Sequence, residues 1–363
     1  MFEKKILFFI PLSLIIMMTT SCKKWRLTTL QPEERAFIPN GIKSGEIVVK
    51  SDDYGLKELS FNVNIFNQKI CLVDNILKRI QILDSENQTK IIIGKNYDNS
   101  KEKIQFTKFE FSVLGLLSLD KDNNIYVQNK FPNPDKDTKK KTSSNNEDLD
   151  FSPSYVLVFN YKGKLQYTLG QEGVSSIPFY YLEKIFVDKT GQLFLVSRSF
   201  DSYKIYAFKG KKKIFSVNLG NLKFNGPDEQ DYEGKIENVE FFSKNSQILI
   251  SIAFYYNLRL KYRKIITYSI PKNKIIKTIM KIPDPKNVLF KLAQDQHIYF
   301  WNVEEKNEAK FIVSDLQGNI INNILLDLEG YQKAYSKIMT DELGNFFSYH
   351  VNQEGIQVLS WKE

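Results

Sequence analysis

Glu183-Lys184-Ile185-Phe186-Val187-Asp188-Lys189-Thr190-Gly191-Gln192-Leu193-Phe194-Leu195-Val196 is the stretch whose reading decides the fold. Two short apolar runs flank a polar stop, and runs of this length suit strands rather than helices. Asp188 and Gly191 mark the stop because an Asp side chain bonds its own backbone and Gly permits positive φ. The same grammar continues downstream. Lys204-Ile205-Tyr206-Ala207-Phe208 is a third apolar run, Lys209-Gly210-Lys211 a second turn, and Lys213-Ile214-Phe215-Ser216-Val217 a fourth run. Residues 180–220 therefore predict four antiparallel strands joined by tight turns.

Working outward, the unit recurs. Leu119-Asp120-Lys121-Asp122-Asn123-Asn124-Ile125-Tyr126-Val127 repeats the first turn, and Asn160-Tyr161-Lys162-Gly163-Lys164 repeats the second. Further versions are Phe242–Leu249, Ala293–Tyr299 with Ser314–Asn319, and Thr340–Phe347; the weakest is Asn67-Gln68-Lys69-Ile70-Cys71-Leu72. The units fall near 59–94, 109–170, 181–220, 236–282, 287–328 and 334–363. Six such units predict an all-β chain, a six-bladed β-propeller of four-stranded blades. The last unit shows only three strands, and Gly45–Lys50 reads as a lone strand. Pairing the two closes the ring and removes an open edge. A seven-bladed ring and a pair of β-sandwiches are the rival architectures; sandwiches leave the regular turns and the lone strand unexplained.

The Asp-x-x-Gly-x-hydrophobic-Tyr/Phe-Val turns resemble those of NHL-type and TolB-like six-bladed propellers, over about residues 45–363. That resemblance implies a binding or scaffolding domain, with some enzymes among its members. It specifies architecture far better than function.

The N-terminus carries a different signal. Glu3, Lys4 and Lys5 precede an apolar run from Ile6 to Met18, and small residues Thr19-Thr20-Ser21 lead into Cys22. This is the order of a secretory signal, and the run is too short to span a bilayer, which takes about 20 residues. Small residues ending on a cysteine resemble the lipobox of bacterial lipoproteins, in the looser, spirochaetal form, because Thr19 stands where Leu is usual. The resemblance implies cleavage before Cys22, lipid on that thiol, and attachment to a membrane of the cell envelope, such as an outer membrane. Residues 1–21 are thus read as signal peptide, 22–44 as a lipidated tether and 45–363 as the propeller. Within the tether, Pro32-Glu33-Glu34-Arg35-Ala36-Phe37 fits one helical turn.

Composition narrows the rest. The chain has 363 residues, with 42% apolar and 13% aromatic, which excludes disorder for most of it. Its 51 Lys and Arg against 42 Asp and Glu suit an acidic partner or an anionic membrane surface, but Lys, Asn and Ile are abundant together, which reads first as compositional bias; no nucleic-acid motif is present, and no nucleic-acid partner is expected. With Cys22 lipidated, Cys71 has no disulfide partner and reads as a buried thiol in a strand. His297 and His350 both fall on second strands and read as structural. No nucleophile elbow, zinc-protease, P-loop or Cys-x-x-Cys motif occurs, so no catalytic residue, cofactor or metal is assigned. Asp120-Lys121-Asp122-Asn123-Asn124 has calcium-like spacing but lacks the Gly and distal Glu of a calcium loop, and reads as a turn.

Two regions stand out as candidate binding elements. Residues 131–153 insert a polar, charge-mixed segment between the second and third strands of the second unit. Long connections are also expected at 95–108, 170–180 and 221–235. In a propeller, loops between strands two and three share a face with those between blades, and such loops are the usual place for binding. On the matching loop of the fourth unit, Tyr256, Arg259, Lys261, Tyr262 and Arg263 combine stacking, bidentate and cation–π groups suited to an acidic protein or a glycan. The competing reading is a plain hairpin, Tyr and Leu inward, Lys and Arg outward. The function expected from sequence is a membrane-anchored binding or scaffold propeller, engaging an unknown protein or glycan. The alternative is an extracytoplasmic hydrolase or lyase with carboxylates near the axis.

Overall fold

The recurrent runs form strands because their apolar residues need two-sided burial while their Asp, Asn and Gly residues turn the chain. A computed structural model of the chain describes residues 26–50, 60–97, 104–131, 153–173, 177–198, 203–222, 224, 231–243, 246–302, 308–331 and 335–363. Cys22, the signal segment and most of the 131–153 insertion lie outside the described residues. The only helical piece among those described is a 3₁₀ turn at Leu219–Asn221.

The sheets follow chain order. β2 (Phe61–Phe66), β3 (Lys69–Asp74), β4 (Arg79–Leu83) and β5 (Thr89–Gly94) form an antiparallel meander, and β6 (Gln105–Lys108) adds a parallel edge strand to β5. β6 thus takes up the end of a stretch expected to be loop. β7 (Val113–Leu119), β8 (Ile125–Lys130), β9 (Ser154–Phe159) and β10 (Leu165–Leu169) form the second meander. β11 (Leu182–Val187), β12 (Gln192–Arg198), β13 (Tyr203–Lys209) and β14 (Lys212–Asn218) form the third. β15 (Glu233–Phe241), β16 (Gln247–Tyr256), β17 (Arg259–Ser269) and β18 (Lys274–Ile282) form the fourth.

The fifth sheet has eight strands. β19 (Asn287–Ala293), β20 (His297–Asn302), β21 (Glu308–Ser314) and β22 (Ile320–Asp327) join β23 (Tyr335–Thr340), β24 (Phe346–Val351) and β25 (Gly355–Lys362) through β1 (Leu27–Pro39). β1 runs parallel to β22 over Leu27–Leu30, then antiparallel to β25 over Gln31–Pro39. Pro32, which lacks an N–H, falls where the strand changes partner.

The closing strand therefore differs from the one expected. Gly45–Lys50 forms no ladder, only a bridge from Ile47 to Asn40. Ile47 and Val49 are buried, so the apolar alternation there is real, but it packs against neighbouring sheets without pairing. Arg79 and Gln81 on β4 pin the segment instead. The Arg79 guanidinium donates to the carbonyls of Ile42, Lys43 and Glu46 at 2.7–2.9 Å, and Gln81 Nε2 donates to Glu46 O at 2.6 Å. Residues 32–37 are extended rather than helical. Thr28, Leu30, Ala36 and Ile38 face inward while Phe37 and Pro39 face outward, and a bulge between Glu34 and Ala36 interrupts the alternation locally. Much of the stretch read as tether is thus sheet.

Apolar clusters sit between successive sheets. One joins β2–β4 to β7–β9, and others link the following sheets in turn. Another packs Phe347, Tyr349 and Val358 on the last strands against Phe61, Val63 and Ile70 on the first. The molecule is all-β and propeller-like, with the first and last of the described strands meeting in one sheet. Cys71 is fully buried on β3, as its context implied, and burial pushes its thiol pKa up.

The polar turns repeat one construction. Asp188 Oδ1 accepts from the N–H groups of Thr190 and Gln192 at 2.8 and 2.9 Å, and Asp120, Asp315 and Asp341 do the same with their own turns. Asp120 is held in place as a turn residue. Its second oxygen accepts from Asn124 Nδ2 and Tyr126 Oη.

Candidate functional site

In each meander the first strand begins and the second ends at one end, here the loop face. The first-to-second and third-to-fourth turns gather at the other end, here the turn face. The β16–β17 hairpin and the neck of the 131–153 insertion, where Phe131 N donates to Pro153 O at 2.8 Å, both belong to the loop face.

The hairpin is a two-residue turn. Asn257 and Leu258 both have positive φ, +49° and +61°, the signature of the primed turns that match strand twist. Leu258 is 89% exposed at its tip. Tyr256, Arg259 and Lys261 are exposed beside it, with Lys261 Nζ 5.9 Å from the Tyr256 ring centre and Tyr232 packed 5.6 Å from the same ring. Tyr262 and Arg263 lie inside. Tyr262 stacks on Phe254 at 4.9 Å, and the Arg263 guanidinium clasps both oxygens of Glu237 and donates to Pro285 O. A bulge at Lys261 ends the regular pairing, and beyond it Tyr262 and Arg263, opposite Phe254 and Ala253 on the two faces of the sheet, are both buried because both faces are covered. Of the five residues expected from sequence, the structure brings three together at the surface and uses two as internal supports.

A second feature opens toward the same end. A cavity of about 380 Å³ lies among the starts of β2, β7 and β11 and the ends of β3 and β8, with Lys337 and Tyr349 closing one side. Asn62, Gln128, Lys130 and Glu183 contribute its polar wall. Gln128 is fixed, donating to Ser154 Oγ at 3.1 Å and accepting from Leu116 N at 3.2 Å. Gly115 makes room for it, since a Cβ there would lie 2.3 Å from Gln128 Oε1.

Two groups in this wall are electrostatically unusual. Burial pushes the Glu183 carboxyl above the usual carboxylate range, against the pull of Arg198 and Lys184. Tyr203 Oη approaches its Oε1 at 3.4 Å, and Oε2 is buried without a hydrogen-bond partner. Lys337, whose side chain is exposed, is lowered by desolvation. Next to them, Lys184 Nζ donates to Val239 O at 2.6 Å and pairs with Glu240, which Lys291 Nζ also approaches at 3.6 Å. Burial works to raise the Glu240 pKa, yet the two ammonium groups outweigh it and hold the carboxyl below its ordinary range.

Sequence reading missed Glu183 and Lys337. A signal was present: first strands carry charges inside apolar runs, in Leu182-Glu183-Lys184-Ile185, Asn238-Val239-Glu240-Phe241, Phe290-Lys291-Leu292 and Ser336-Lys337-Ile338. His350 is buried between Ser336 Oγ and Ser348 Oγ, each 2.8 Å from a ring nitrogen. Among the described residues, no three His, Cys, Asp or Glu side chains gather to hold a metal, and no helix is long and apolar enough to cross a membrane.

No family model matches the chain, and no curated protein matches it. Solved structures do. A protein of unknown function from Dyadobacter fermentans is 11% identical, with TM-score 0.43, covering 91% of this chain and 98% of its own. One from Bacteroides caccae is 13% identical, with TM-score 0.39, covering 74% and 83%. XC5397 of Xanthomonas campestris, described as a gluconolactonase, is 7% identical, with TM-score 0.41, covering 81% and 82%. Likenesses this distant carry no argument about activity.

Proposed function

We propose that the chain is a six-bladed β-propeller, lipidated on Cys22 and held at the cell envelope, that binds a protein or glycan partner through its loop face. Supporting the blade count, the eight-stranded sheet divides at β1 into two groups of four, and β6 is an extra strand on the edge of the first meander. The observation that carries the functional reading is convergence. The wall of polar and charged groups around the cavity, the Tyr256–Lys261 hairpin tip and the neck of the long insertion all belong to the same end of the molecule. A rigid scaffold presenting variable loops around a central depression is a binding geometry.

Photo-cross-linking in intact cells tests this. A photoreactive residue is placed at Leu258 or Tyr180 on the loop face, and at Leu343 or Lys121 on the turn face. Discrete protein or glycan adducts from the first pair alone are expected. Protein or glycan adducts from the turn face alone, or from neither face, would refute the reading.

A second reading is favoured by one observation, the desolvated Glu183 with its unpaired oxygen beside the cavity. A carboxyl of raised pKa is suited to proton transfer, as a glycan hydrolase or lyase requires. Hydrolysis or elimination in a screen of glycans and esters, abolished by Glu183→Gln, would replace simple binding with that activity.

A further inference from the structure

We propose that the turn face lies against an anionic bilayer, so that the loop face and its cavity point away from the membrane. This rests on the reading of Cys22 as lipidated. The first argument is the length of chain between the anchor and the fold. β1 starts at Leu27, leaving only Lys23-Lys24-Trp25-Arg26 after Cys22. Four residues reach about 13 Å at ~3.3 Å each. β1 enters beside the middle of β22, where Leu27 pairs with Asn323, and only then passes to β25. Gln31 pairs with Lys362 at the end of β25, whereas Pro39 pairs with Gly355 at its beginning. A lipid on Cys22 therefore holds the fold close to the headgroups, and the chemistry of its surface decides which end meets them.

The second argument is the chemistry of that face. Three successive third-to-fourth hairpins carry the same mixture. They read Tyr161-Lys162-Gly163-Lys164-Leu165, Lys209-Gly210-Lys211-Lys212-Lys213-Ile214 and Lys272-Asn273-Lys274-Ile275-Ile276-Lys277. Tyr161 is 55% exposed, and Ile214 and Ile276 are each 45% exposed. Lys164, Lys209, Lys211, Lys212, Lys272 and Lys274 are exposed and have no carboxylate within ion-pair distance among the described residues. Lys209 and Lys212 stand directly opposite each other across β13 and β14, an arrangement that costs stability in an isolated protein. The recurring acids at this end, Asp120, Asp188, Asp315 and Asp341, accept hydrogen bonds from their own turns, and the exposed Glu86, Asp122 and Glu342 lie on the first, second and last meanders, away from the hairpins of the third and fourth. Exposed apolar side chains set among unpaired lysines fit the interface of an anionic bilayer, where each lysine meets headgroup charge and each apolar group enters the acyl boundary.

The test uses the anchored chain in phosphatidylcholine vesicles with or without phosphatidylglycerol. A single thiol is introduced as Ile276→Cys or Leu258→Cys and labelled with an environment-sensitive fluorophore; Cys71 is fully buried and stays unlabelled. Emission at 276 is expected to shift to the blue and be quenched by a headgroup-quencher lipid, and more so with phosphatidylglycerol. Emission at 258 is expected to stay aqueous. Lys209→Glu with Lys211→Glu and Lys212→Glu is expected to reverse the shift at 276 while the protein stays on the vesicles. An aqueous signal at 276 on vesicle-bound protein, or a shift at 258 in its place, overturns the orientation. Failure of the anchor reading is seen separately, as vesicle flotation that Cys22→Ser leaves unchanged.

Discussion

Arg263 shows how a single residue divides between readings. In sequence it belongs to a basic, aromatic run; in space it is 6% exposed and gripped by Glu237, because neighbouring strands cover both faces of β17 at this level. Breaking a buried ion pair from one side costs about 3 kcal/mol or more. Arg263→Ala is therefore expected to lower the urea midpoint sharply, whereas Arg259→Ala, at an exposed site, leaves it almost unchanged. Glu183 supports a pH prediction. Its folded pKa is raised, so ionising it opposes folding, and stability falls as pH rises from the unfolded value near ~4.3 through the folded one. Glu183→Gln is expected to stabilise the protein at pH 7 and to make no difference at pH values below the unfolded pKa, as read by urea unfolding at the two pH values. Glu240 has the opposite sign. Its depressed pKa contributes stability above the unfolded value, which is lost as pH falls through the folded one. None of these roles is written in residue identity, since each depends on which strands the fold places side by side.

Among the elements, the strands with clean alternation and Asp- or Asn-led turns were legible from sequence. β11 to β14 fall where the 180–220 stretch placed them, and His297 and His350 lie on second strands. β1 was not legible. Pro32 and the Glu33-Glu34 pair resemble a helix start, and the bulge at Glu34–Ala36 breaks the period-two pattern that marks a strand. Ile38 on β1 is 1% exposed, so Ile38→Ala should cost about 3 kcal/mol in urea unfolding, a loss a mere tether would not show. The β16–β17 hairpin offers the converse test. Leu258 holds a left-handed conformation better suited to glycine, and the preferred pair at such turns is Asn-Gly. Leu258→Gly is expected to stabilise the fold by about 0.5–1 kcal/mol in the same measurement. If the hairpin tip contacts the partner, the substitution also weakens cross-linking from neighbouring Tyr256.

At the scale of the molecule, one repeated unit was readable, and so was the need for an N-terminal strand to close the last one. Which segment supplies it was not, because closure is a long-range property. Residues 27–39 meet 355–362 across nearly the whole chain, and no local pattern records that partnership. The consequences are large. With β1 in the sheet, four residues rather than the 22–44 stretch separate Cys22 from the fold, so the proposed lipid would hold the proposed turn-face orientation on a short leash. In the proposed function, loops around the cavity are the surface offered to a partner.

Native-state hydrogen exchange over residues 27–39, compared with β24, tests closure most directly. If β1 closes the ring, its hydrogen-bonded amides exchange as slowly as those of Phe346–Val351 and are released only on global unfolding. Exchange at the rate of an unstructured peptide would make the segment a tether after all, and the closed ring, the short leash and the orientation of the binding face would fall together.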